Sequence, residues 1–184
     1  MEIKSERLIL KELTQKDLVF MYKMASEPLV YLYDEDEEPP GEEQIHEKYI
    51  KKISKMKEDT DKQFIFLINL LPEEVPMGEV HIQLNWEEHR EWEIGYVLHT
   101  DYWGNGYASE AVKLVLKHIF ENLNAHRVVG FCNANNKKSS NLMERVGMNR
   151  DGLLREGILW HKEWCDEFVY SILEREFLSL SKLK

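Results

Sequence analysis

The sequence predicts a mixed α/β domain whose central sheet is mostly antiparallel and flanked by helices. Four observations carry this prediction. Apolar residues recur with period 2 in some segments and near period 3.6 in others. The order is strand, two helices, three strands, helix, strand, helix, two strands. The three successive strands have short connections, as in an antiparallel meander. Finally, a glycine-rich loop runs from the last of these strands into the best helix of the chain, in "EIGYVLHTDYWGNGYASEAVKLVLKHIF" (93–120).

"RLILKEL" (7–13) alternates apolar and charged residues, as a half-buried strand does. Thr14 and Asp17 fit a capping box, and the helix they open should run to about Ser26, with Pro28 beyond its end. Leu18, Met21, Tyr22 and Ala25 give that helix one buried face. "YDEDEEPPGEE" (33–43) is an acidic loop, and 42–57 has helical spacing through Ile45, Tyr49, Ile53 and Met56. "QFIFLINL" (63–70), "MGEVHIQL" (77–84) and "WEIGYVL" (92–98) are the meander strands. Pro72 and Pro76 are expected in the connection, where no ladder donor is lost. The helix at 107–120 carries a broad apolar stripe through Ala111, Val112, Val115, Leu116, Ile119 and Phe120. "RVVGFCN" (127–133) is a buried strand, 139–147 a short helix with Gly147 at its C′ position, and two last strands surround the turn "HKEW". No repeat, linker or low-complexity tract interrupts residues 1–184, so no boundary is drawn.

Composition limits the function. The net charge of −10 argues against nucleic-acid binding, which needs Lys and Arg to displace counterions. No apolar run approaches the roughly 20 residues that span a bilayer, and the N-terminus lacks the basic and apolar regions of a signal peptide. Cys132 and Cys165 form neither a disulfide framework nor a CxxC site, which points to a reduced, cytoplasmic setting. None of the 7 histidines falls in an HExxH or Cys/His cluster, so no metal is expected.

The loop Trp103-Gly104-Asn105-Gly106-Tyr107-Ala108 feeds a helix N-terminus. Free N–H groups and the positive end of the helix dipole favour phosphate there, and glycine lets the backbone come close. Asn105, Gly106, Tyr107, Ala108 and Ser109 are positioned to present N–H groups to a pyrophosphate. The pattern is neither GxxxxGK[ST] nor GxGxxG, which disfavours a P-loop NTPase and a dinucleotide-binding βαβ unit.

This segment resembles motif A of the GNAT N-acetyltransferases, Q/R-x-x-G-x-G/A, with Trp103 in the Q/R place. "EIGYVL…YWGNGYASEAV", "RLILKEL", "NKKSSNLMERVGM" and "DGLLREGILWHKEWCDEFVYSIL" resemble, in the same order, the ribosomal-protein N-terminal acetyltransferase (RimJ/RimL) type. Asn136, Ser139, Glu144 and Gly147 stand at that subfamily's spacing. The resemblance covers roughly residues 5–177 and implies the GNAT fold as a single domain.

It also implies acetyl-CoA as donor, a primary amine as acceptor and direct attack on the thioester. The pantetheine would pair with the backbone of Tyr96, Val97 and Leu98, and an N–H near Leu98 would polarise the carbonyl. Ser139 carries over as the residue that meets the leaving sulfur, because the place of the tyrosine used by many relatives holds Met143. Ser139 also suits a helix cap. Asn136 would bind the pantetheine or a water. The general base is open. Two familiar carboxylate positions hold Phe131 and Ile158, which leaves Glu93, Glu156 and His81 as candidates, or a water relay.

Trp160 and Trp164 flank the last turn, where relatives border the acceptor cleft, and the acidic run 34–38 suits a basic peptide or polyamine if it is more than a solvated loop. The acceptor is a protein N-terminus or a small amine. The alternative is a CoA-binding sensor or interaction module with vestigial catalysis. A nucleotide-binding regulatory domain is a third idea. A homodimer is compatible with the sequence, which is silent on oligomeric state.

Overall fold

The computed structural model describes residues 1–32 and 40–181. The acidic run 34–38 and Tyr33 lie outside the described residues. The elements are β1 (Glu2–Lys4), β2 (Leu8–Glu12), α1 (Leu18–Ala25), α2 (Pro28–Tyr31), α3 (Glu42–Glu58), β3 (Gln63–Leu70), β4 (Val75–Trp86), β5 (Glu91–Leu98), α4 (Tyr107–Asn122), β6 (Arg127–Asn133), α5 (Lys137–Arg145), β7 (Asn149–Trp160), β8 (Glu163–Leu173) and α6 (Glu174–Ser181). The strands form one sheet in the order β1-β2-β3-β4-β5-β6-β8-β7. Among the described residues only β5 and β6 pair in parallel, and α4 is the crossover that a parallel pair requires.

Each face of the sheet carries its own apolar layer. On one, Val112, Val115, Leu116 and Ile119 of α4 pack on Phe66, Val80, Ile94 and Val128. On the other, Met21 and Met24 of α1 and Ile45, Tyr49 and Ile53 of α3 cover Ile65 and Leu67. The period-3.6 stripes seen in the sequence are these contact faces.

Several local expectations are corrected. The Thr14/Asp17 capping box forms, with the Thr14 N–H and hydroxyl donating to Asp17 Oδ2 at 2.8 and 2.7 Å, but it opens a 3₁₀ turn that precedes α1. Pro76 lies inside β4, not in the connection; it sits opposite Asn69 beside a bulge, where the ladder tolerates a missing donor. The last turn narrows to His161-Lys162, both at positive φ (47° and 63°), because β8 already begins at Glu163. β1, α2 and α6 are short elements without a clear period in the sequence. The C-terminal stop of α5 matches expectation: Gly147 has φ 98°, and Met148 and Gly147 donate to Met143 and Glu144 carbonyls.

The pairing of β5 with β6 is brief. It runs from Glu91–Arg127 to Glu93–Val129 and then ends, while both strands continue. Arg127 clamps the paired end, donating to Glu91 at 2.8 Å and to Asp151 at 2.7 Å; the Ser171 hydroxyl also donates to Asp151, at 2.6 Å. Arg127→Ala should therefore destabilise the fold by about 1–2 kcal/mol, since charge-assisted bonds of partly exposed groups are lost. Thermal unfolding in low salt should show the deficit, and 1 M NaCl should shrink it; an unchanged melting temperature would show that the clamp does not matter.

Candidate active site

Where β5 and β6 part, a cleft of about 1140 Å³ opens, lined from both faces of the sheet. The His99 N–H turns to Met77 on the β4 side. Alternation along β5 then directs the N–H groups of Leu98 and Tyr96 toward the parted side, where β6 no longer receives them. Tyr96, Val97 and Leu98 all line the cleft, as expected for a strand edge that takes an extended ligand.

The glycine-rich loop closes one end. The Trp103 indole N–H donates to the Leu98 carbonyl at 2.7 Å, and Asn105 Nδ2 donates to the Trp103 carbonyl at 3.1 Å. Gly104 and Gly106 both take φ 79°, a conformation that a side chain disfavours. Gly106 is the N-cap of α4 and supplies no side-chain cap, and the first intrahelical bond is Glu110 N–H to the Gly106 carbonyl. The N–H groups of Tyr107, Ala108 and Ser109 thus remain for an anion. Cations gather around them. Lys137, Lys138 and Arg145 line the cleft; Lys138 Nζ lies 3.7 Å from the centre of the Trp103 ring, and Arg145 Nη1 donates to Ser109 Oγ at 3.1 Å. Arg7, ion-paired with Glu110, stacks over Tyr107 and ties β2 to this loop.

Ser139 sits at the middle of the cleft. It does not cap α5: the helix begins at Lys137, and Asn136 is its N-cap, with Oδ1 accepting the Ser139 N–H at 3.1 Å. The Ser139 hydroxyl is 3.0 Å from the Tyr96 hydroxyl, which also donates to the Ser139 carbonyl at 3.1 Å. Burial above all pushes the Tyr96 phenol up from its ordinary pKa, so it stays protonated. Burial likewise pushes the nearby Cys132 thiol up to about 11. Met143, in the place of the relatives' tyrosine, is buried in the core and absent from the cleft lining.

The other end of the cleft lies under α1 and α3. There the structure places Glu79 and His81, side by side on one face of β4. Glu79 is 3% exposed, with Oε1 3.7 Å from His81 Nδ1. Its Oε2 has no hydrogen-bond partner among the described residues. Desolvation pushes the Glu79 carboxyl up, but His81, Lys52 and Tyr49 outweigh it and hold its pKa below the usual value. His81 pairs with Gly95 on β5, and a β-carbon there would lie 2.2 Å from its Nε2; only glycine leaves room for the ring.

Glu93 and Glu156 are not brought into the cleft. Glu93 lies at the paired end of β5 and accepts from Asn85 Nδ2 at 2.9 Å and Gln83 Nε2 at 3.4 Å. Glu156 is exposed in the irregular middle of β7, where its N–H donates to Asp166 at 2.9 Å. Ile158 lines the cleft, Trp164 is 62% exposed, and Trp160 reaches the rim through its indole bond to the Leu32 carbonyl at 2.9 Å. Glu79 was missed by sequence reasoning. Its signal was the alternation Glu79, His81, Gln83 on the middle strand of a meander, where one face must be covered by helices.

If the loop holds the acetyl-CoA that the sequence resemblance implies, Gly106→Ala should weaken that binding about tenfold, because αL geometry costs a non-glycine residue roughly 1–2 kcal/mol and the N–H groups beyond it would tilt. Titration calorimetry would measure this, and unchanged affinity would mean that the loop does not hold the donor.

A family model described as an acetyltransferase (GNAT) domain matches residues 7–149. The chain is 32% identical over 177 residues to the uncharacterized N-acetyltransferase YnaD of Bacillus subtilis, covering 96% of this chain and 99% of that protein. A crystal structure of a GNAT-family acetyltransferase from Bacillus anthracis is similar with a TM-score of 0.84 at 32% identity, over 96% of this chain and 100% of that one. Spermidine N-acetyltransferase of Vibrio cholerae, solved in complex with CoA and spermine, has a TM-score of 0.81 at 22% identity over 95% and 99%, a likeness of fold. With the parted strands, the glycine-rich loop and these relatives in agreement, the chain belongs to the GNAT family of N-acetyltransferases.

Proposed function

We propose that this N-acetyltransferase binds acetyl-CoA along β5 and the loop 103–109, and acetylates a primary amine that enters from the α1–α3 side. One observation carries the reading: a single cleft joins a phosphate-suited loop to a buried carboxylate, with Ser139 between them. The lining fits the donor. Uncapped N–H groups and the lysines beside Arg145 suit its phosphates, and the free N–H groups of Tyr96 and Leu98 suit an extended pantetheine.

Acetyl-CoA supplies an activated acetyl thioester. Glu79 takes the proton that the amine nitrogen loses as it bonds to the acetyl carbon, directly or through His81. An N–H at Leu98 holds the carbonyl oxygen. Ser139 donates a hydrogen bond to the sulfur as the C–S bond breaks, its hydroxyl turning there from the Tyr96 oxygen while the Tyr96 O–H holds the Ser139 carbonyl. A proton from solvent completes the thiol. Glu93 and Glu156, with no place in the cleft, have no part in this scheme. The motifs at 93–112 and 136–147 support a relationship to the ribosomal-protein N-terminal type, and they leave the acceptor open between a protein N-terminus and a small amine. Glu79 also weighs against vestigial catalysis, because it supplies the carboxylate absent at Phe131 and Ile158.

Glu79→Gln should lower kcat by about 10²–10⁴. Wild-type kcat/KM should fall as pH drops through the depressed pKa of Glu79, and the Gln variant should lose that limb. The sign for stability follows from the same depression: Glu79 contributes stability above its unfolded pKa of about 4.3, lost as pH falls through the folded value. Release of CoA thiol, followed with amine in excess across pH, measures the rate. An unchanged limb in the variant would remove Glu79 from the base role. Ser139→Ala should lower kcat roughly tenfold or more, with acetyl-CoA affinity retained, since it loses a bond made to the leaving group.

A further inference from the structure

We infer that Trp103 is a positioning residue, whose indole holds the Lys138 ammonium beside the open N–H groups of the loop 103–109 so that Lys138 meets the phosphates of the donor. The inference rests on reading that loop as the acetyl-CoA site.

The ring is fixed first. Val97 pairs with Glu79 and the His99 N–H goes to Met77, so the Leu98 carbonyl faces the parted side of β5. β6 supplies no donor there, because its pairing has already ended. The Trp103 indole N–H does so at 2.7 Å, and the Trp103 carbonyl accepts from Asn105 Nδ2 at 3.1 Å. The residue is thus tied to the strand edge through its side chain and to its own loop through its backbone. Lys138 takes a face of the indole, with Nζ 3.7 Å from the ring centre. Trp is the aromatic that best attracts an ammonium.

The helix itself gives no reason for a lysine at this position. Lys138 is the second residue of α5, where the dipole disfavours a cation, and the first turn holds no acidic residue. A lysine as exposed as this one keeps most rotamer freedom by extending into water. Its neighbour Lys137 turns away, to the Ala134 carbonyl at 3.3 Å and the Phe168 ring. Lys138 turns instead over Trp103, toward the start of α4, where Arg145 also reaches Ser109 Oγ. Among the described residues Glu79 is the only carboxylate lining the cleft, and it lies at the α1–α3 end. Two cations beside a helix start suit an anion with several oxygens, as a pyrophosphate is.

CoA is the probe. It would be titrated by calorimetry into the wild type, Lys138→Gln, Lys138→Arg, Trp103→Leu and the Trp103→Leu/Lys138→Gln protein. Lys138→Gln should weaken CoA binding about fivefold, through loss of a charge-assisted contact. About 0.5 M NaCl should shrink that deficit. Lys138→Arg, which stacks on the same ring, should bind within about twofold of the wild type. Trp103→Leu should cost at least as much as Lys138→Gln, because it also releases the Leu98 carbonyl. The double variant should stay within about twofold of Trp103→Leu, since the second change removes a contact already lost, whereas independent roles would add a further loss of about fivefold. A second measurement leaves Trp103 in place. Its indole N–H resonance, assigned by its disappearance in Trp103→Phe, should move in Lys138→Gln before any CoA is added. A further fivefold loss in the double variant, normal CoA binding by Lys138→Gln, or an unmoved indole resonance would each overturn the inference while leaving the acetyltransferase reading intact. Absence of CoA binding by the wild type would overturn the proposed function, and this inference with it.

Discussion

β5 and β6 stay paired over Glu91–Glu93 and Arg127–Val129 and then separate, and the rest of the site depends on that separation. A sheet normally satisfies the backbone groups of both strands across each pair. Here the N–H groups of Tyr96 and Leu98 are released toward a cleft instead of a neighbour. Arg127 holds the closed end with its bonds to Glu91 and Asp151. The crossover helix α4 then starts beside the open end, so its uncapped N–H groups face the same space. One departure from sheet regularity thus supplies an edge for an extended chain, a pocket for phosphate and a passage between the two faces.

The passage matters because the two faces carry different chemistry. On the α4–α5 face, Lys137, Lys138 and Arg145 surround a loop with open N–H groups. On the α1–α3 face, the apolar layer of α1 and α3 shuts water away from Glu79. Burial alone would neutralise that carboxyl, yet His81, Lys52 and Tyr49 keep it ionised. In the proposed scheme that carboxylate is the proton acceptor, kept in its ionised form by these neighbours. Ser139 stands where the faces meet, its N–H taken by Asn136 and its hydroxyl by Tyr96, so its position is set by neighbours on α5 and β5.

Much of this was legible in the sequence wherever local chemistry decides. Two glycines before an amphipathic stretch predict left-handed backbone at a helix start, and Gly104 and Gly106 adopt it. Gly147 stops α5 as its type suggests, and the three closely connected strands read in residues 63–98 form the meander. Tertiary context decided the rest. Glu79 becomes a buried carboxylate only once α1 and α3 cover β4, and no local pattern states which face they cover. Glu93 was a candidate carboxylate on the central strand, but it lies where β5 is still paired with β6, and its spacing of three from Tyr96 places the two side chains on opposite faces. Glu156 lies within an irregular stretch of β7 whose direction depends on pairing with β8. Ser139 and Asn136 exchanged the capping role because α5 begins earlier than its apolar period suggests.

The central claim is that the parted edge of β5 receives an extended ligand whose phosphates rest on the start of α4. Amide hydrogen exchange resolved to single residues, with and without acetyl-CoA, tests it most directly. The account predicts added protection at Tyr96 and Leu98 together with Tyr107, Ala108 and Ser109, and little change at the already paired Glu93. Protection confined to the helix start, or absent from both segments despite saturating acetyl-CoA, would contradict it.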